Sequence, residues 1–432
     1  GASAQYGSDA IAGVINIVLR EDDGFEGTVS RGTTEDGGGG TTKVSLDTGF
    51  AFPEGGGIHL TWDYRDRKAA NRALADTRQQ YFGIGRNGQA VALSGAYGSG
   101  TGLNPIGGAA AGAVADPREA TIDRDALWRF ADSADTEDKT FFANLRKPLS
   151  WAEGLEWYAF GGATDSQGSS NASLRRSGQP ENVRAIYPNG FLPWVDTDST
   201  DRSLGTGLKG YLGQWRWDLS SVYGRNELVY RTRNTLNATL GAASPTRFYN
   251  GALEASQWTT NLDAGNSFEV GWHAPLRLAL GLEYRRDTYE IRPGEEASYV
   301  WGPYRVLDGP AAGTVPTIGS QGFAGIQPGD AGDYSRHNVA AYVETDTDVT
   351  DRLLVSLAGR WEDYSDFGST TNGKLALRYQ LDGGVALRAS ASTGFHAPAL
   401  AQQYFSSTSS RTLNNAVTGL PEYVLCLLYT SD

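Results

Sequence analysis

Methionine is absent from all 432 residues, and cysteine occurs once, at position 426. A lone thiol forms neither an internal disulfide nor a thiolate metal site. No run reaches the roughly 18 consecutive apolar residues that a membrane-crossing helix needs, which excludes helical spans and leaves strand-built ones open. A basic surplus is missing too. The formal charge is −13, and nucleic-acid binding needs a concentrated basic surface to release counterions, so no nucleic-acid partner is expected. Residue 1 opens in mid-motif with no charged, apolar leader, so the expectation is an internal stretch of a longer chain whose signal peptide lies upstream.

What the chain has in abundance is glycine (56 residues), tyrosine (21) and tryptophan (11), a composition suited to a transmembrane β-barrel. Its clearest pattern is period-2 alternation. In GIHLTWDYRDR, Ile58, Leu60, Trp62 and Tyr64 oppose His59, Thr61, Asp63 and Arg65. In PLRLALGLEYRRD, Leu276, Leu278, Leu280, Leu282 and Tyr284 oppose Arg277, Gly281, Glu283 and Arg285. In DRLLVSLAGRWEDY, Leu353, Val355, Leu357 and Trp361 oppose Ser356, Arg360 and Glu362. Weaker copies run through 41–52, 138–147, 154–163, 203–232, 336–349, 372–380 and 384–392, several closed by short turns such as Asp382-Gly383-Gly384.

A soluble sandwich or propeller also alternates. Three features favour an all-β, antiparallel membrane barrel of roughly twelve or thirteen strands. Many strands read ten residues or more, beyond the usual soluble length. Aromatics at Trp215, Trp217, Tyr223, Tyr230, Trp361 and Tyr364 suit interfacial girdles. Tight turns alternate with long polar stretches at about 69–136, 164–200, 233–252 and 292–334. Loops of that size are where ligand contacts are expected, and Tyr81, Phe82, Trp194, Trp301 and Tyr304 are the ligand-loop candidates. Partial disorder is the bland alternative for any one loop. In a barrel, Arg277, Arg285, Arg360, Arg378 and Arg388 point into the lumen, to pair with an enclosed polar domain or to line a water-filled pore.

Signs of covalent chemistry are weak. Gly83-Ile84-Gly85-Arg86-Asn87-Gly88 matches a dinucleotide fingerprint in letters only, because no helix pattern follows to receive a pyrophosphate. His59, His273, His337 and His396 are scattered singly, and no nucleophile elbow is present. No catalytic residue, metal site or cofactor is expected.

The opening stretch GASAQYGSDAIAGVINIVLR resembles the end of the plug domain of TonB-dependent outer-membrane receptors, with Ala4, Tyr6, Gly7, Ser8, Ala10, Gly13, Val14, Ile15, Asn16 and Ile17 on the family's pattern. TGFHAPALAQQYF resembles the family's barrel motif at Gly394, Phe395, His396, Ala397 and Pro398, with His396 where arginine is usual. AGRWEDYSDFGSTTNGKLALRYQ is similar to a paired-strand pattern of the same family. The resemblance implies a 22-stranded barrel around a plug, nutrient capture by extracellular loops, and import driven by TonB through a segment upstream of residue 1. The ligand could be a ferric siderophore, cobalamin or an oligosaccharide. A passive porin-like barrel is the rival reading. The implied division is a plug end at 1–20, a partial barrel at 21–423 among outer-membrane lipid, and a tail at 424–432 that resembles translated adapter sequence rather than a strand. The further strands that would close the barrel are expected downstream.

Overall fold

A computed structural model describes residues 16–76, 78–85, 87–91, 114–127, 131–414 and 421–429. Among these, thirteen strands form one antiparallel sheet in strict sequence order, an up-and-down meander. They are β1 (Gly24–Gly32), β2 (Thr41–Ala51), β3 (Gly57–Arg67), β4 (Asp135–Pro148), β5 (Glu156–Asn171), β6 (Trp194–Leu212), β7 (Trp215–Arg233), β8 (Arg247–Phe268), β9 (Leu276–Pro293), β10 (Gly332–Asp348), β11 (Leu353–Tyr364), β12 (Gly368–Gln380) and β13 (Ala386–Ser392). No ladder joins β1 to β13 among the described residues, so the sheet is a curved, open part of a barrel wall. A separate hairpin pairs Ser406–Asn414 with Pro421–Tyr429, so residues 424–429, expected above to be tail and no strand, are strand.

The sheet is apolar on its exposed face and charged on its buried one. Leu282 is 56% exposed and Leu357 48%, while Arg360 and Glu362 are 2% and 1% exposed. A water-soluble fold does the reverse. The outward apolar band has aromatic edges. Tyr223, Trp258, Tyr284 and Trp361 mark one level, and Trp151, Trp157, Trp215, Phe268 and Trp272 cluster at the turn end. Trp258 and Phe268 lie ten positions apart on β8. At ~3.3 Å per residue and a tilt of about 45°, that step spans ~23 Å of depth, close to the ~25 Å apolar band of a membrane barrel.

All turns at one end are short: 52–56, 149–155, 213–214, 269–275, 349–352 and 381–385. Gly213 supplies the left-handed first position (φ 61°) of the two-residue turn between β6 and β7. The longer connections, 68–134, 172–193, 234–246 and 294–331, leave from the other end.

Two further expectations change. Residues 164–171, 194–200 and 247–252, read above as irregular, are strand, so β8 runs 22 residues. Past the membrane level both faces of a strand meet water, which erases the hydrophobic period while the ladder continues. Second, Tyr230 and Tyr364 do not belong to a girdle. Both fall on the inward parity of their strands; Tyr230 stacks on Phe323 at 4.7 Å, and Tyr364 meets Phe395 edge-on at 6.1 Å.

Candidate functional site

Register places the five predicted arginines on one face. Directly paired residues share a side, and the pairs Arg277↔Asp346, Asp346↔Ser356, Arg360↔Asn372 and Arg378↔Arg388 link these positions across neighbouring strands. All five point to the concave side, opposite Leu357, Leu375, Leu377 and Leu387, which are exposed on the convex side. The concave wall is a set of fixed pairs. Arg360 Nε donates to Glu362 Oε1 at 2.9 Å, and its Nη2 lies 3.1 Å from Glu283 Oε2. Arg277 Nε donates to Asp346 at 2.9 Å, and Arg285 Nε to Asp287 at 3.1 Å. Tyr158 donates to Asp218 at 2.7 Å and Tyr342 to Asp263 at 2.6 Å. Both tyrosine rings occupy the space beside a glycine of the adjacent strand. A Cβ on Gly207 would fall 2.5 Å from the Tyr158 ring, and one on Gly281 would fall 1.9 Å from that of Tyr342.

The family-like segment after β13 turns back onto this wall. Phe395 sits edge-on to Tyr364 and Phe367, and Ala397 is buried. The buried Arg336 donates from Nη1 to the Pro398 carbonyl (2.9 Å) and from Nε to Asp366 (2.7 Å), with Phe367 under its guanidinium at 4.9 Å. A short helix follows, Leu400–Tyr404. Leu400 packs on Tyr289 and Ile291, and Tyr404 stacks on Tyr334 at 4.1 Å. His396 is exposed and lines a cavity of about 640 Å³ together with Asp201, Asn226, Arg285 and Arg336.

Above the wall the loops build a crown with its own core. Val183, Phe191, Leu236 and Ala238 are buried together, with Ile186 and Tyr187 against them. Polar side chains tie three loops to one another. Asn237 donates to the carbonyls of Ala297 and Val300, and Thr235 to that of Gln321. Gln321 in turn accepts from Arg175 at 2.9 Å. At a register shift between Tyr230 and Arg231, the unpaired Asn250 turns inward and donates to Ser320 and to the Phe323 carbonyl, the re-aiming that a bulge performs. These loops are ordered bodies and not loose tethers.

The ligand-loop candidates occupy different settings in that crown. Tyr81 is buried, its hydroxyl donating to Asn189 (2.9 Å) and its ring carrying Arg118 at 4.1 Å, and burial pushes its phenol up. Phe82 is half-buried under Arg184, whose Nε donates to Asp308. Trp194, at the start of β6, stacks on Arg233 at 4.4 Å. Trp301 and Tyr304 are exposed. Nearby, Glu119 is buried and accepts from the backbone N–H groups of Gln80 and Tyr81 and from Arg124. Gly83–Ile84 pairs with Ala90–Val91 as a small hairpin, so the fingerprint-like glycines make a turn.

Of the opening motif, Tyr6, Gly7, Ser8, Ala10, Gly13, Val14 and Ile15 lie outside the described residues, and Asn16 is an exposed coil residue. Sequence reading did not single out Arg336, Asn237, Asn250 or Gln321. For Arg336 a signal was present, since it stands on the inward parity of an alternating strand. The other three gave none, because their partners are 60 to 146 residues away. Among the described residues no group of His, Cys, Asp and Glu could hold a metal ion.

The TonB dependent receptor-like β-barrel family matches residues 128–423. Among solved structures, the siderophore receptor PirA from Acinetobacter baumannii is 12% identical at a TM-score of 0.54, over 96% of this chain and 49% of that one. A mutant of the ferric enterobactin receptor PfeA from Pseudomonas aeruginosa is 14% identical at 0.57, over 94% and 49%. PirA from Pseudomonas aeruginosa is 11% identical at 0.55, over 100% and 54%. The chain thus spans about half the length of the structures it matches, and at these identities the likeness is one of fold. No curated protein sequence matches it. With two thirds of its residues on the family pattern and a meander that is charged inside and apolar outside, the chain belongs to the TonB-dependent receptor-like β-barrel family.

Proposed function

We propose that this chain is the barrel part of an outer-membrane receptor that captures a scarce nutrient at its loop crown and passes it through the lumen to the periplasm, driven by TonB. The observation that carries the reading is the pairing of an ordered crown at one end of the wall with a charged, internally paired lumen beneath it. A ferric siderophore is the favoured ligand, because the similar structures named above include siderophore and ferric enterobactin receptors; cobalamin and an oligosaccharide are the alternatives. Residues 1–20 act as the end of a plug in this reading, 21–423 as barrel wall and 424–432 as a tail outside it. Capture needs no covalent step. It needs aromatic faces at an accessible rim, which Trp301 and Tyr304 offer. The segment at Gly394 to Pro398 is the lumen-side anchor, held by Arg336.

The test is uptake of radiolabelled ferric siderophores, cobalamin and oligosaccharides by cells carrying the full-length receptor, with and without TonB. TonB-dependent uptake of one ligand is expected, falling about thirtyfold in Trp301→Ala/Tyr304→Ala if each ring contributes ~1 kcal/mol. Uptake that is independent of TonB, together with high single-channel conductance, would establish a passive pore instead.

A further inference from the structure

The outward face carries a second ordered feature, just loopward of the upper aromatic level. One outward position past Leu204, Tyr223, Trp258, Tyr284, Val339 and Trp361 on their own strands, six successive strands present Arg202, Arg225, Ser256, Arg286, His337 and Asp363. Four of the six carry or can carry a positive charge. Arg202 and Arg225 are paired directly across β6 and β7, as are Arg286 and His337 across β9 and β10. Like charges placed opposite each other are unfavourable unless an anion lies between them. Two of the guanidiniums have carboxylates: Arg202 reaches Asp165 at 2.8 Å and Arg225 reaches Glu254 at 2.6 Å. Both stay more than 40% exposed. Arg286 is exposed and has no ion-pair partner among the described residues. Glu227 and Glu254 stand at the next outward position further from the apolar band, so on these strands acidic charge is set back, and Asp363 is the one acid in the belt itself.

Two residues of a tilted strand rise ~5 Å, which puts this belt at the headgroup layer immediately outside the apolar band. With strands ~4.8 Å apart, the span from Arg202 to His337 is ~19 Å, wide enough for a headgroup with more than one phosphate. The Ser256 and Thr288 hydroxyls, 2.7 Å apart on the same face, add donors between the two basic pairs. We propose that this belt is a binding surface for phosphate-bearing lipid headgroups of the surrounding leaflet, with Arg202, Arg225 and Arg286 as the contacting cations. It depends on the sheet spanning a bilayer and not on which nutrient the crown takes.

The experiment places the full-length receptor in phosphatidylcholine nanodiscs doped with fluorescent phosphatidic acid or fluorescent diacylglycerol, and reads lipid enrichment at the barrel by energy transfer from its tryptophans. Enrichment of phosphatidic acid but not diacylglycerol is expected. It should fall more than tenfold in Arg202→Gln/Arg225→Gln/Arg286→Gln and persist in the matching triple lysine variant. Arg286→Gln alone, which breaks no ion pair, should lose about fivefold and covers the case in which the triple variant does not fold. Equal enrichment in wild type and Arg286→Gln would overturn the proposal. So would loss of enrichment on adding inorganic phosphate at constant ionic strength, which would mark a site for free anion.

Discussion

An arginine on the convex face tests whether that face meets lipid, and the structure sets the size of the effect. Leu280 is an exposed, outward residue midway along β9 between Tyr284 at the upper level and Leu276 at the turn end. If the convex face is wet, Leu280→Arg is a surface change that costs within ~0.5 kcal/mol. If it meets hydrocarbon, the guanidinium sits near the bilayer midplane and costs ~2–4 kcal/mol. The same substitution at Ser335, an exposed outward residue on β10 beyond the aromatic level, should cost less than ~1 kcal/mol, because membrane penalties fall toward the interface. The assay is reversible denaturant unfolding of the full-length receptor refolded into short-chain lipid vesicles, followed by tryptophan fluorescence. Equal costs at the two positions, or a cost at Leu280 below ~1 kcal/mol, would refute the membrane assignment of this face.

Three further outcomes follow from particular contacts. Arg360→Met leaves the Glu283 and Glu362 carboxylates facing each other inside the wall and should cost ~3–5 kcal/mol, whereas Arg360→Met/Glu283→Gln/Glu362→Gln, which removes every charge, should recover more than half of that; additive costs in the unfolding assay would show that the three act independently. Gly281→Val drives a side chain into the Tyr342 ring and should abolish the Tyr342–Asp263 hydrogen bond, lowering the heat-modifiable gel-shift temperature, while Gly224→Ala, with nothing within 4 Å of its Cβ, should leave it unchanged. In the crown, burial opposes ionisation of Asp76, yet hydrogen bonds from the Arg78 side chain and backbone and from Gln80 outweigh it and hold the carboxyl below its usual range. A lowered folded value means the stabilisation is complete above the ordinary carboxylate pKa and fades as pH falls through the folded one. Protease nicking between residues 68 and 134 should therefore rise on acidification in the wild type, and Asp76→Asn should be nicked faster at neutral pH with a flatter profile; identical profiles would exclude Asp76 as a tie for this loop.

How much of this was legible depended on whether a residue's setting is periodic. The strands at 57–67, 276–293 and 353–364 and the inward aim of Arg277, Arg285, Arg360, Arg378 and Arg388 follow from parity alone, since one face must be apolar and the other cannot be. Parity also decides which aromatics reach the membrane edge, but only once the phase of each strand is known; Tyr364 lies three residues from Trp361 and so falls on the other side. The strand ends at 164–171 and 194–200 were illegible because water on both sides leaves no pattern to read. The crown was illegible for a different reason. Asn237, Asn250 and Gln321 are ordinary polar residues in their own segments, and their meaning lies in partners supplied by other loops: carbonyls for the two asparagines and the Arg175 guanidinium for Gln321.

The shared core of the crown bears on how such a receptor could be retargeted. Since Val183 and Phe191 come from one loop, Leu236 and Ala238 from a second, and the carbonyls that hold Asn237 from a third, the three are a single mechanical part. Transplanting one of them from a receptor with another specificity would carry half of a joint into a mismatched socket. The unit that evolution or an engineer can exchange here is the whole trio, 172–193 with 234–246 and 294–331, and specificity should change in jumps rather than by gradual drift in any one loop.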